Sequence, residues 1–214
     1  MSLNKVVRWM SPMMLVLSAM PFGAAQAADP APPAGIRGEI LAGIKDAEDK
    51  LIQLAEATPE EKYSYRPSKE ARSTGEVFMH VASGNYFVVN FAGVKPPEGI
   101  NVEKYESALT KKADIQKALK DSFAHINKAL VNSTDADLDK PAEFFGRKST
   151  VRGVYLVLLS HAHEHLGQAI AHARGSGIVP PWTAAREAAA KEKQGKKPEG
   201  TPGQKTEGTP AKKK

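Results

Sequence analysis

Four of the six histidines, His161, His163, His165 and His172, crowd into one short stretch. On a helix turning about 100° per residue, His161 and His165 stand one turn apart on a common stripe, while His163 points nearly opposite. An i, i+4 pair can converge on one ion. His172 returns to within roughly 20° of the direction of His165 but about 10 Å further along the axis, too far for the same ion. It reads as a core or bundle-end residue, and His163 as a surface one. His80 sits in the middle of the most apolar segment of the chain, where an imidazole needs partners for both ring nitrogens. A metal on one nitrogen, with a carbonyl or carboxylate behind the other, supplies them. His80, His161 and His165 together offer three neutral nitrogen donors and leave at least one position for water or substrate, as catalytic zinc sites do. That donor set suits zinc, nickel, copper or iron. On the residues alone, hydrogen-bonded core histidines fit the same spacing.

Other chemistries fail on spacing. His163-Glu164 begins like the H-E-x-x-H signature of a zinc protease, but the second histidine would fall at Gly167. Gly93, Gly99, Gly146 and Gly153 form no phosphate-cradling cluster. Ser160 and His161 are sequence neighbours whose side chains diverge on a helix, a poor nucleophile and base pair. Glu164 flanks the histidine face, where a surface carboxylate is the plainer reading than a general base. Glu76 is better aligned with His80, one turn before it, but is accounted for by helix capping. Without cysteine the chain has no thiolate ligand, disulfide or lipid-attachment site.

Four amphipathic segments must position these residues. Ile40, Leu41, Ile44, Ala47, Leu51, Leu54 and Ala55 recur at three and four, predicting a helix over 36–57 that Thr58-Pro59 stops. Residues 59–72 show no period and read as an irregular connection. Ser73 and Glu76 form a capping box for a helix from Thr74 to about Phe91, apolar round most of its circumference. A polar loop follows, then a helix over about 110–131 with the stripe Ile115, Leu119, Phe123, Ile126 and Leu130. Residues 132–148 hold a turn cluster and at most a short extended piece. Ser149 or Thr150 caps the last helix, about 151–174, whose stripe carries His161 and His165. The expected fold is all-α, a four-helix bundle over 36–183. Ile178 to Trp182 should pack back on the bundle end.

The two ends read differently. Lys5 and Arg8 precede an apolar run from Trp9 to Met20 and the small residues Ala25-Gln26-Ala27, the pattern of a signal peptide cleaved after Ala27, with 28–35 a short leader. The run falls short of the roughly 20 residues a membrane span needs. No membrane span is expected after cleavage, and the location is periplasmic or secreted. From Ala184 onward a short Ala/Lys/Glu helix gives way to Gly, Pro, Lys, Thr and Gln; 184–214 is assigned as a disordered basic tail. Nine Lys or Arg and four Glu in that tail give +5, and Lys5 with Arg8 give +2, so the rest of a chain of formal charge +6 carries −1. A nearly neutral body argues against a dedicated nucleic-acid surface.

The segments Phe78-Met79-His80-Val81-Ala82 with Asn85-Tyr86-Phe87, and His161 to Gln168 followed by Gly177-Ile178-Val179-Pro180-Pro181, resemble the DinB-like family of metal-dependent helical bundles. The likeness spans about 36–182. It implies a four-helix bundle with a long crossover, binding zinc or nickel through one histidine of the second helix and an H-x-x-x-H pair on the last, which fall on His80, His161 and His165. Zinc is the first expectation, with nickel or iron as options. The wider family includes transferases and isomerases dependent on cytosolic thiols, whereas this chain reads as exported, so the resemblance bears on the site more than on the reaction. The expected function is a metal-dependent enzyme of hydrolase or transferase type acting on a small molecule, with a homodimer as an option. A non-catalytic metal- or ligand-binding bundle, or a metal-free interaction module, are the competing readings.

Overall fold

The computed structural model describes residues 33–195. The expected signal peptide, most of the leader and the tail beyond 195 lie outside the described residues. Helix α1 spans Gly35–Ala57, α2 Thr74–Asn90, α3 Lys112–Asn132, α4 Asp135–Leu138, α5 Val151–Gly175 and α6 Pro181–Gly195, with a hairpin of β1 (Pro141–Phe144) and β2 (Arg147–Thr150) between α4 and α5. None of these helices is long and apolar enough to cross a membrane.

The apolar stripes account for the packing. Ile40, Ile44, Leu51 and Leu54 of α1, Leu119, Phe123, Ile126 and Leu130 of α3, and Val154 and Leu158 of α5 are all but sealed from solvent. Each such side chain contributes about 1.5–3 kcal/mol of transfer free energy. Helix α2 buries residues on most sides, from Thr74 to Val89, because it is packed from more than one direction. Helix α1 lies beside α3 and α5, and α2 lies beside the same two, so the order round the bundle is α1, α3, α2, α5. The chain therefore crosses the bundle diagonally from α1 to α2 and again from α3 to α5.

Local chemistry sets the ends. Thr58 Oγ1 donates to the carbonyl of Leu54 at 2.7 Å, and Lys112 Nζ donates to the carbonyl of Thr58 at 2.6 Å, closing the C-terminus of α1. The Ser73 hydroxyl accepts from the Glu76 amide while the Glu76 carboxylate accepts from the Ser73 amide, the reciprocal box that starts α2. The Thr150 hydroxyl accepts from the Gly153 amide at the start of α5.

Two features depart from the sequence reading. The short extended piece is a paired antiparallel hairpin, with Phe144 opposite Arg147 and a two-residue turn, Phe145-Gly146, in which both φ values are positive, 50° and 74°. The boundary placed at Ala184 falls inside α6, which continues to Gly195. Pro181 opens that helix, a favoured first position, and Trp182 packs against the core as expected.

Candidate metal centre

Helices α2 and α5 run antiparallel, since Thr74 near the start of α2 meets His172 near the end of α5 while His80 meets His161. This pairing brings His80, His161 and His165 together, with one nitrogen from each lying within 4.8 Å of the others. The ring centroids are 4.5 Å apart for His80–His165 and for His161–His165, and 5.2 Å for His80–His161. His80 Nε2 and His161 Nε2 are 3.3 Å apart.

Space for His161 is made by a missing side chain. Gly84 lies one turn after His80 on α2, and a Cβ there would come within 3.0 Å of His161 Nε2 and 3.2 Å of its Nδ1. Any larger residue at this position would push the imidazole away from its partners.

The outer nitrogens are tied down. His80 Nδ1 donates to Glu106 Oε2 at 2.9 Å, and Glu106 Oε1 accepts from Arg72 Nε at 2.8 Å. A carboxylate only accepts, so the proton of a neutral His80 sits on Nδ1 and its Nε2 presents a lone pair to the cluster. His165 Nδ1 donates to Gln168 Oε1 at 2.9 Å, which directs the Nε2 lone pair of His165 inward in the same way. Glu106 rides on a single 3-10 turn, Tyr105–Ser107. That turn is fastened to α2 by Ser83 Oγ, which donates to the Val102 carbonyl at 3.3 Å, and by edge-on packing of Tyr105 on Tyr86 at 5.5 Å.

Burial favours the neutral form of His161 and His165. It pushes the His161 pKa down to about 4, with help from the neighbouring charges of His165, His80 and Arg72. Burial also lowers that of His165, against the opposing hydrogen bond to Gln168. For Glu106, burial alone would raise the carboxyl, but the hydrogen bonds from His80 and Arg72 outweigh it and hold it below its ordinary value. Neutral imidazoles beside an ionised carboxylate are the protonation state that ligation requires.

The donors present fit a transition metal. Two nitrogens bound tetrahedrally to one zinc at 2.0–2.1 Å stand about 3.3 Å apart, the spacing of the His80 and His161 Nε2 atoms. His161 Nδ1 is buried without a hydrogen-bond partner, while its Nε2 faces His80 Nε2 across 3.3 Å.

The other candidates fall where the spacing put them. His172 is 2% exposed, its Nδ1 is 3.4 Å from Thr74 Oγ1, and it stands edge-on to Tyr65 at the bundle end. His163 is exposed on the far face, with Nδ1 against the Leu159 carbonyl. Glu164 is exposed, and Glu76 is occupied by its cap and by Arg66. Sequence reasoning missed Glu106, Gln168, Arg72 and Gly84. Gln168 was findable, being three residues past His165 on one helix face. Gly84, at i+4 from His80, carried the same signal, whereas no spacing rule links a loop glutamate to His80.

A family model described as the DinB superfamily matches residues 44–169. Among solved structures, a DinB-like protein from Bacillus cereus superposes with a TM-score of 0.59 at 20% identity, covering 66% of this chain and 93% of that one. The DinB-like protein YjoA from Bacillus subtilis gives 0.53 at 23% identity with the same coverage. YfiT from Bacillus subtilis, described as a probable metal-dependent hydrolase with an unusual four-helix bundle topology, gives 0.54 at 13% identity over 67% of this chain and 89% of its own. At these identities the likeness is one of fold. Comparison with curated proteins found no match. With the family model covering more than half of its length, the chain belongs to the DinB superfamily.

Proposed function

We propose that the protein is a metal-dependent enzyme of hydrolase or transferase type, with the ion held by His80, His161 and His165 and at least one coordination position left for a small-molecule substrate. The observation that carries this reading is the convergence of three imidazoles from two helices, two of them fixed from behind by Glu106 and Gln168. Those outer partners fix the tautomers that turn an Nε2 lone pair toward the cluster, as ligation requires. The kinship with YfiT, described as a probable metal-dependent hydrolase, supports the same direction.

When bound, the ion supplies Lewis-acid chemistry, polarising a carbonyl or phosphoryl oxygen and lowering the pKa of water. The chain's own residues do the rest. Glu106 holds the His80 proton at Nδ1 and lends the ring negative charge, making it a stronger donor. Gln168 orients His165 without charge. The packed α2–α5 interface seals His161 Nδ1 from solvent. Zinc is the proposed ion, with nickel or iron as options, because three neutral nitrogen donors beside an open position are the donor set of catalytic zinc sites. Action outside the cytoplasm belongs to the same reading and rests on Lys5, Arg8 and the apolar run that follows them.

The test is metal analysis of protein prepared without a polyhistidine tag. Near-stoichiometric metal in the wild type, lost in His161→Ala, supports the centre; metal-free wild type, or metal retained in the variant, sinks it. Screening of the metal-loaded protein for hydrolysis and group transfer, with His80→Ala as control, then separates an enzyme from a non-catalytic binder.

A further inference from the structure

Arg72 occupies a position that the metal reading leaves partly unused. Its Nε is committed to Glu106 Oε1 at 2.8 Å, and the other oxygen of that carboxylate holds His80 Nδ1 at 2.9 Å. One carboxylate thus ties the guanidinium and a cluster histidine together. Nη1 and Nη2 have no hydrogen-bond partner among the described residues, although together they carry four N–H donors in a planar fork. The side chain is 40% exposed, so those donors are open to a ligand.

The charge balance points the same way. Arg72 and Glu106 cancel, imidazoles bind a metal in their neutral form, and Glu76 is paired with Arg66. Glu164, next to His165 in sequence, is exposed to solvent. A divalent ion in this setting stays largely uncompensated, and a site with surplus positive charge and an open guanidinium fork selects an anion.

We propose that Arg72 anchors the substrate through Nη1 and Nη2, and that the substrate class is a small molecule bearing a compact oxyanion, a carboxylate or a phosphate, next to the group acted upon. This rests on the metal centre proposed above. Arg72 binds, and Glu106 positions both Arg72 and His80, so ligand and ion are set by one carboxylate.

The test uses the full chain loaded with Co(II), whose visible bands respond to a change in its coordination sphere, titrated separately with acetate and with inorganic phosphate. Arg72→Gln and Arg72→Lys are compared with the wild type, and the Co(II) affinity of each is measured in parallel. The expected result is a saturable spectral change with at least one anion, weakened about 10-fold or more in Arg72→Gln and less in Arg72→Lys, with Co(II) affinity altered much less than anion affinity. Response to acetate alone identifies a carboxylate substrate, and response to phosphate alone a phosphate one; either supports the anchor. Unchanged anion affinity in Arg72→Gln, with weakened Co(II) binding instead, would show a residue that only steadies Glu106 and overturns the proposal. So does the absence of any anion response in protein that binds Co(II). Failure of Co(II) to bind in a histidine-dependent way overturns the metal centre itself, and the anchor with it.

Discussion

Replacing Gly84 by alanine is the sharpest perturbation of this site, because Gly84 touches no metal and carries no chemistry. In an ordinary helix the change gains about 1 kcal/mol, since alanine is the better helix former. Here the new methyl group would clash with His161 Cε1, its nearest neighbour, and stand 3.0 Å from Nε2 and 3.2 Å from Nδ1, so the ring must shift. Crowding of this kind costs about 1–3 kcal/mol in a packed interior. The two effects nearly cancel, so the metal-free variant should lie within about 2 kcal/mol of the wild type in urea unfolding. Metal affinity has no such compensation, because the ring is driven from its 3.3 Å approach to His80. Losing the placement of one of three donors should cost more than disturbing an outer partner, which typically weakens binding 10–100-fold, so a loss of about 100-fold or more is expected. Competition against a chelator of known zinc affinity measures it. Affinity within a few-fold of the wild type, in a variant that folds, would refute the placement of His161 in the centre.

Glu106→Ala should weaken metal binding about 10–100-fold and Glu106→Gln by less, because the amide still accepts from His80 Nδ1 but lacks the charge; equal effects in the chelator assay would mean the charge is irrelevant. In the metal-free protein, burial holds His161 neutral down to about pH 4, whereas the unfolded chain takes up its proton near pH 6.5. The unfolded state therefore binds more protons across that window, so stability is full above pH 6.5 and falls as the pH drops toward 4. His161 alone accounts for a loss of about 3 kcal/mol; urea unfolding that is flat from pH 7 to 4.5 contradicts this. Phe145 holds a positive φ at the hairpin tip with 66% of its surface exposed. Phe145→Asn creates the Asn-Gly pair favoured in such turns and should raise stability by about 0.5–1 kcal/mol, read as a higher Tm, whereas a fall would show that its contacts with Phe87 and Phe91 matter more.

The helices were legible because their stripes are long and regular. Ile115, Leu119, Phe123, Ile126 and Leu130 repeat at three and four for four turns, and the Ser73–Glu76 box marks a start to the residue. His161 and His165 share a face by arithmetic alone, and His80 stood out as a polar ring in an apolar helix. Connections were not legible in this way. The hairpin strands are four residues each and close through Phe145 in a backbone region that aromatic residues rarely adopt, so neither alternation nor turn chemistry announced them. The Ala/Lys/Glu helix after Ala184 was expected from propensity, whereas its start at Pro181 was not. Glu106 was invisible for another reason. Its link to His80 spans 26 residues and depends on the loop being fastened by Ser83 and Tyr86, a tertiary fact without sequence periodicity.

The most direct test of the centre is an anomalous-scattering experiment on crystals grown with zinc and without chelator. The structure calls for a single strong peak within bonding distance of a ring nitrogen of each of His80, His161 and His165. A map that is empty between those three rings, or a zinc ion bound by other residues while they remain unligated, would contradict it.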